Sequence, residues 1–326
     1  MKTLSLSKLM LLFAFVFLAT SCDDDDDNLG NNDAQEVNIT ATAQGNANLS
    51  VLVAALQRAN LDAVLADENG DFTVFAPTNG AFTQLLSDLG ATSLDDIDDA
   101  TLTAVLLNHV VAGEVTSNAL TTGYVNSLSE NNEGDNLSLY IDTSNGVTVN
   151  GVSDVTTADV QATNGVVHVV DTVILPADLT TFATADSNFS TLLSALIADP
   201  SFTFVPTLTT PVGTSPAPFT VLAPTNAAFD DLLAELGANS LADIDTATLQ
   251  AVLNYHVLGG AAVRAEDLTD GLTFGSLGGD STINLDASGN ATITDGAGRT
   301  SNIVATNVTA TNGVIHAIDT VLLPSN

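Results

Sequence analysis

One long segment occurs twice in the sequence, and this repetition limits the fold more than any other feature. The stretch FTVFAPTNGAF at residues 72–82 returns as FTVLAPTNAAF at 219–229 with nine of its eleven positions unchanged. Two further pairs follow in the same order: residues 89–111 match 236–258 at 16 of 23 positions, and 163–176 match 311–324 at ten of fourteen. A unit of about 145 residues has the size of a whole domain and is far longer than a solenoid repeat. The chain therefore contains two tandem copies of one domain.

The two copies differ in length ahead of this stretch. NLSVLVAAL at 48–56 aligns with NFSTLLSAL at 188–196 at an offset of 140, whereas the later blocks are offset by 147 or 148. The second copy thus carries seven extra residues. The Pro-rich stretch TTPVGTSPAP at 209–218 predicts an extended loop that holds them.

The repeated stretch itself predicts a strand, a turn and a helix. Residues 72–76 form a short strand, which Pro77 ends because it lacks an N–H for the ladder. Thr78 or Asn79 can cap the helix through its side-chain oxygen, and Gly90 suits a left-handed helix end. Apolar residues lie between them at helical spacing. They are Phe82, Leu85, Leu86 and Leu89, repeated as Phe229, Leu232, Leu233 and Leu236.

The other repeated blocks predict a second helix and a closing strand. Asp98 or Asp99 suits the positive end of a helix dipole, and apolar residues and His109 then share one helix face. The pairs Asn164-Gly165 and Asn312-Gly313 favour tight turns ahead of β-branched strands. With the alternating stretches between these blocks, each copy is predicted to be α+β. We expect a β-sandwich or wedge of short, mainly antiparallel strands packed with several helices.

The N-terminus predicts export and a lipid anchor. Residues 1–21 combine two lysines, the apolar run LMLLFAFVFLA and small residues, which is typical of a signal peptide. Cys22, the single cysteine, stands directly after this segment, and LATSC resembles a bacterial lipobox. Residues 22–37 are acidic and polar and predict a disordered tether, either a plain spacer or a surface-export signal like that of Bacteroidota lipoproteins. The two copies then occupy residues 38–177 and 178–326.

The repeated blocks resemble the fasciclin (FAS1) domain family. FTVFAPTNGAF and FTVLAPTNAAF are similar to its first signature box, TNGVVHVVDTVILP and TNGVIHAIDTVLLP to its second, and NYHVL at 254–258 to the Tyr-His motif between them. The resemblance implies two tandem domains of the fold predicted above. It also implies a role in cell adhesion and in contacts with the extracellular matrix.

The same resemblance implies a candidate interaction region around the Tyr-His motif, at Tyr255 and His256. The first copy departs from the motif, because Asn108 precedes His109 there. Integrin contact, which is linked to this region in animal members, is therefore not carried over to this chain. The surface near these four residues stays the candidate for partner contact.

The histidines favour a structural role over catalysis. There are four, two at matched positions in each copy, and the second-box pair is His168 and His316. Each lies on an apolar helix face or in a Val/Ile strand, which is typical of a core histidine that joins a helix to the sheet. No nucleophile elbow, HExxH, P-loop or GxGxxG motif is present, and Cys22 is taken up by lipid. We expect no enzyme activity, no cofactor and no metal site. Asp23–Asp27 would collect calcium only as any acidic tract does.

Charge limits the choice of partners. The formal net charge is −34, and only Arg58, Arg264 and Arg299 carry positive charge beyond the leader. Nucleic acid is excluded, because its phosphates require lysine and arginine. The expected function is adhesion by an outer-membrane lipoprotein, exposed on the cell surface, to a cell-surface or matrix protein or a polysaccharide. The alternatives are binding of an apolar, carotenoid-like molecule or of extracellular polysaccharide, for which the scarcity of aromatic residues and the lack of Trp give little support.

Overall fold

The structure, a computed structural model, describes residues 37–285 and 291–325. The predicted signal peptide, Cys22 and all but the last residue of the predicted tether lie outside these ranges. A single compact unit spans Glu36–Asn326, and both copies of the repeat belong to it.

Each copy contributes helices ahead of and between its first two strands. In the first copy the described residues form α1 (Ile39–Gln44), α2 (Ser50–Arg58), α3 (Asn79–Leu89) and α4 (Asp99–Leu107). In the second they form α5 (Leu179–Ala185), α6 (Ser190–Leu196), α7 (Phe204–Leu208), α8 (Asn226–Leu236) and α9 (Thr246–Tyr255).

The described residues of each copy also form seven strands. Those of the first copy are β1 (Phe72–Pro77), β2 (Val110–Ala112), β3 (Gly123–Glu130), β4 (Asn136–Asp142), β5 (Thr148–Val149), β6 (Ser153–Ala162) and β7 (Gly165–Val170). Those of the second are β8 (Phe219–Pro224), β9 (Val257–Gly259), β10 (Thr273–Ser276), β11 (Gly279–Leu285), β12 (Ala291–Thr294), β13 (Thr300–Ala310) and β14 (Gly313–Ile318).

The two sheets share one topology. Neighbouring strands pair antiparallel, except that β1 pairs parallel with β7, and β8 with β14. In the first copy the pairing runs from β1 to β7 and back to β1, which closes a ring. In the second copy β9 and β10 remain the ends of an open sheet, although Leu277 N–H donates to the Val257 carbonyl at 2.9 Å just beyond β10. The predicted α+β class with mainly antiparallel strands is confirmed.

Every copy has two apolar cores, one on each face of its central strands. In β1, Val74 and Ala76 pack against the helices, while Phe75 packs against β2, β4, β5 and β7 in the interior of the sheet. In β8, Val221 and Leu222 divide in the same way. Because both faces are covered, these strands are almost continuously apolar and buried.

The repeated stretch builds the corner between a central strand and a helix. The Thr78 hydroxyl accepts from Ala81 N–H at 3.2 Å and caps α3, and Gly90 ends the helix with φ 65°. Asn79 has a different role from the predicted alternative cap. Its side-chain oxygen accepts from Val51 N–H at 2.9 Å, which joins the start of α3 to α2.

The Asn-Gly pairs also have a packing role that the turn prediction did not include. The buried Asn164 side chain accepts from Ile39 N–H at 2.8 Å and donates to the carbonyls of Leu65 and Asp67 at 2.9 and 3.0 Å. Gly165 has φ 138° and lies so close to β1 that an added Cβ would be 1.9 Å from the Phe72 oxygen. Only glycine can bring β7 this close to β1.

The extra residues of the second copy are divided between two places. Asn312, the counterpart of Asn164, donates to the carbonyls of Leu208 and Thr210. In the second copy, eight residues (211–218) then lead to β8. In the first copy, only four residues (68–71) lead to β1. The predicted loop therefore holds four of the seven extra residues, and the other three lie between α6 and Leu208.

Candidate functional site

The histidines that follow α4 and α9 are buried and fully hydrogen-bonded. His109 Nε2 accepts from Ile174 N–H at 2.8 Å, so Nδ1 carries the proton and donates to the Val105 carbonyl at 2.7 Å. His256 makes the same two bonds, to Leu322 N–H at 2.9 Å and the Val252 carbonyl at 2.7 Å. Burial lowers the pKa of each ring to about 4. Both rings are therefore neutral links between a helix and the segment after the last strand.

The second-box histidines are buried in the same manner at a bulge of the sheet. His168 Nδ1 accepts from Asp159 N–H at 3.2 Å and its Nε2 donates to the Val115 carbonyl at 2.9 Å. In the other copy, His316 pairs in this way with Asn307 N–H and the Val263 carbonyl. Asp159 and Asn307 have φ values of 60° and 57°, which direct their N–H groups to the rings. Both ring nitrogens of all four histidines thus bond to main-chain groups.

The residues before the motif histidines are buried as well. Asn108 donates to the Ile174 carbonyl at 3.1 Å and accepts from the Ser127 hydroxyl at 3.1 Å. Tyr255 extends to the Asp280 carbonyl and packs over Gly278 and Gly279. Asn and Tyr thus fill equivalent interior positions with different partners.

This burial corrects the predicted position of the candidate interaction region. Asn108, His109, Tyr255 and His256 are each at most 2% exposed, because they hold the helices to the sheet. Their side chains are not part of a surface that a partner could touch. A role in partner contact for this region stays a prediction for the residues around them.

The two copies meet at a buried polar and aromatic junction. Tyr124 and Tyr140 of the first copy pack at 5.1 Å between ring centroids, and Tyr124 meets Phe182 of α5 edge-on at 5.5 Å. The Tyr124 hydroxyl donates to Asp186 at 2.9 Å. Burial, and to a smaller extent the nearby Asp186 carboxylate, raises the pKa of Tyr140 to about 12. The aromatic pair therefore stays neutral at physiological pH.

Two further contacts fix the junction. Thr309 N–H in β13 donates to the buried Ser138 hydroxyl in β4 at 2.9 Å. Arg264 pairs with Asp135 at 3.0 Å and with Glu266 at 2.6 Å. Apolar packing, a strand-to-strand hydrogen bond and an ion pair together join the copies.

An open groove runs beside this junction in two compartments of about 550 and 590 Å³. Leu85, Leu175 and Pro176 of the first copy line both compartments, and so do Pro211 and Asn312 of the second. We call this the junction groove. Its walls come from residues far apart in the sequence, so the periodicity of either copy gives no sign of it.

The junction groove has an apolar surface with acidic residues along it. Leu89, Leu175 and Val152 line it while 57%, 49% and 61% exposed. Leu89 follows the apolar helical spacing of α3, but at the last turn of this helix it lines the groove. Glu130 lines one compartment and Asp88 the other.

The arginines of the described ranges are all engaged in ion pairs. Arg58 pairs with Asp99 at 2.6 Å, and Arg299 with Asp295 and Glu235 at 3.0 Å. Arg264 pairs across the junction as described above. The positive charge of this part of the chain is thus neutralised locally, and the remaining carboxylates set the sign of the surface potential.

No group of three or more His, Cys, Asp or Glu side chains in residues 37–285 and 291–325 is arranged to hold a metal ion. No helix in these ranges is both long and apolar enough to cross a membrane.

Comparisons with known proteins agree with the repeat. The model of the fasciclin domain matches residues 47–176 and again 187–324. Transforming growth factor-beta-induced protein ig-h3 of Sus scrofa is 32% identical over 259 residues, which cover 79% of this chain and 35% of that protein. Protein sll1483 of Synechocystis is 41% identical over 140 residues, 43% of this chain and 74% of that protein.

A solved FAS1 domain pair from the insect cell adhesion molecule fasciclin I has the same fold. It superposes with a TM-score of 0.51 at 21% identity and covers 84% of this chain and 97% of that structure. Human periostin is 29% identical over 79% of this chain, and the match covers 29% of periostin. The chain thus spans about a third of the length of ig-h3 and of periostin.

Proposed function

The chain belongs to the fasciclin family, and we propose that it is an adhesion protein of a bacterial cell envelope. In this proposal a lipid on Cys22 anchors the chain to the outer membrane, residues 22–37 form the tether, and the two domains face the outside of the cell. The partner is a protein or polysaccharide on another cell or in secreted matrix. The chain acts by binding and not by catalysis.

The observation that carries this proposal is the junction between the copies. Tyr124, Tyr140 and Asp186 are packed together there, and Arg264 adds an ion pair. Two family domains held in one compact unit present their surfaces in a fixed relation. Weak contacts on both surfaces then act together, because the first contact raises the effective concentration of the second. A domain pair of this fold occurs in an insect cell adhesion molecule.

The histidines support binding over catalysis. A general base needs a ring nitrogen that is free to take a proton from a substrate. In His109, His168, His256 and His316 both ring nitrogens bond to main-chain groups inside the protein. Their geometry stabilises the fold and leaves no ring nitrogen for chemistry.

Deletion of the gene tests the proposal. We expect a deletion strain to attach to surfaces and to other cells less than its parent. The wild-type gene restores attachment, whereas Cys22→Ala, made to the same level, releases the protein and does not. Unchanged attachment of the deletion strain across several growth conditions would refute the adhesive function. Full rescue by Cys22→Ala would refute the lipid anchor alone.

A further inference from the structure

We propose that the junction groove binds an extended peptide segment of the adhesion partner, one that combines apolar with basic side chains. This inference rests on the proposed function and adds the place and the chemistry of the contact. It follows from the shape of the groove, its exposed apolar residues and its charge.

The shape of the groove depends on the residues that the second copy has gained. Pro211 and Val212, which line it, belong to the eight-residue segment 211–218 that replaces four residues of the first copy. The longer segment therefore forms a wall against the first copy. The two compartments meet at Leu175 and Pro176, so an occupant that fills both must be elongated. An extended peptide, which advances about 3.3 Å per residue, has that form.

The exposed apolar residues give such a peptide its binding energy. Leu89 and Leu175 line one compartment, and Leu175 and Val152 line the other; exposed apolar residues that share a groove, unlike single ones, are typical of an interaction site. The internal repeat provides a comparison. Leu236 ends α8 as Leu89 ends α3 and is 54% exposed, but it does not line the groove. The groove is thus a property of the junction and not of the domain.

The acidic residues of the groove favour a positively charged occupant. Glu130, Asp88 and Asp178 line the groove, and neither compartment has a lysine or arginine among its described lining residues. A carboxylate or phosphate on the ligand would be repelled, while lysine or arginine side chains would reach the acids from a backbone lying on the apolar floor. Complementary charge of this kind mainly sets specificity and the rate of encounter.

The test uses the purified full chain and short fluorescent peptides, with binding measured by anisotropy. In the first peptide leucine and lysine alternate; one control replaces lysine by glutamate, and the other replaces leucine by serine. We expect the leucine–lysine peptide to bind, both controls to bind at least about tenfold more weakly, and added salt to weaken binding. Equal binding of the glutamate control, or of an uncharged apolar dye without salt dependence, would overturn the proposal in favour of a simple apolar ligand.

Matched variants place the binding on the molecule. Leu89→Ser should weaken binding of the leucine–lysine peptide about tenfold, which is about 1.4 kcal/mol, and Glu130→Gln should reduce its salt dependence. Leu236→Ser, the same change at the matched position, should leave binding unchanged. Both leucines are more than half exposed, so unfolding curves should show both variants folded. Equal loss in Leu89→Ser and Leu236→Ser would refute the groove as the site.

The peptide assay and the attachment assay fail independently. If the purified chain binds the leucine–lysine peptide in a way that depends on Leu89, but deletion of the gene leaves attachment unchanged, the groove is supported and adhesion is rejected. Attachment that needs the protein, without any binding of the leucine–lysine peptide, rejects the groove and leaves adhesion standing.

Discussion

Replacing Asn164 by alanine should destabilise the first copy strongly, although Asn164 lies in a turn and touches no groove. Its side chain satisfies Ile39 N–H at the start of α1 and the carbonyls of Leu65 and Asp67. Alanine leaves Ile39 N–H and the Leu65 carbonyl without a partner, whereas the Asp67 carbonyl still accepts from Gly70 N–H at 3.0 Å. The Ile39 and Leu65 bonds are buried, and each unsatisfied buried group costs roughly 1–3 kcal/mol. We therefore expect the free energy of unfolding to fall by about 4 kcal/mol.

Urea unfolding followed by far-UV circular dichroism measures this loss. Asn312→Ala should have a similar effect, because Asn312 bonds to Leu179 N–H and to the Leu208 and Thr210 carbonyls in the second copy. Asn145→Ala, at an exposed position, is the control and should change stability by no more than about 0.5 kcal/mol. A loss of less than about 1 kcal/mol in Asn164→Ala would show that water or a rearranged backbone satisfies these groups, and would refute the reasoning.

Three further predictions concern pH, strand packing and the junction. Burial lowers the pKa of His109 and His256 from 6.5 to about 4, so both rings make their full contribution to the free energy of unfolding above pH 6.5. As the pH falls from 6.5 to 4, the free energy of unfolding falls by about 3 kcal/mol for each ring, because the ring binds a proton in this range only when the chain is unfolded. Urea midpoints that stay constant over this pH range would contradict the prediction. Gly165→Ala should lower stability by about 3 kcal/mol, since its Cβ would meet the Phe72 oxygen, and an unchanged urea midpoint would disprove this clash. Tyr124→Phe removes a hydrogen bond to a buried carboxylate and should lower the free energy of unfolding by about 2 kcal/mol; a wild-type melting curve would show that the bond is unimportant.

The local structure of each copy could be predicted because its determinants lie close together in the sequence. The strand–turn–helix corner follows from Pro77, a capping residue and Gly90, and the structure confirms all three. The choice between Thr78 and Asn79 as cap could not be made, because Asn79 is used by α2, which is distant in sequence.

The features that the sequence did not predict depend on contacts between residues that are distant in the sequence. The burial of Asn108 and Tyr255 results from partners distant in sequence that the helix pattern does not show: Ile174 and Ser127 for Asn108, and Asp280 for Tyr255. Leu89 fits the apolar helix spacing, yet it is exposed because the helix ends where the junction groove begins. The groove itself requires the relative placement of the copies, which no repeat offset specifies.

Attachment of the complemented deletion strain tests the central claim, that the joined domains are adhesive, most directly. Strains carrying wild-type, Leu89→Ser or Leu236→Ser protein at equal surface levels would be compared for cells retained under flow. We predict reduced retention with Leu89→Ser and wild-type retention with Leu236→Ser. Retention in all three strains equal to that of the deletion strain would contradict the claim.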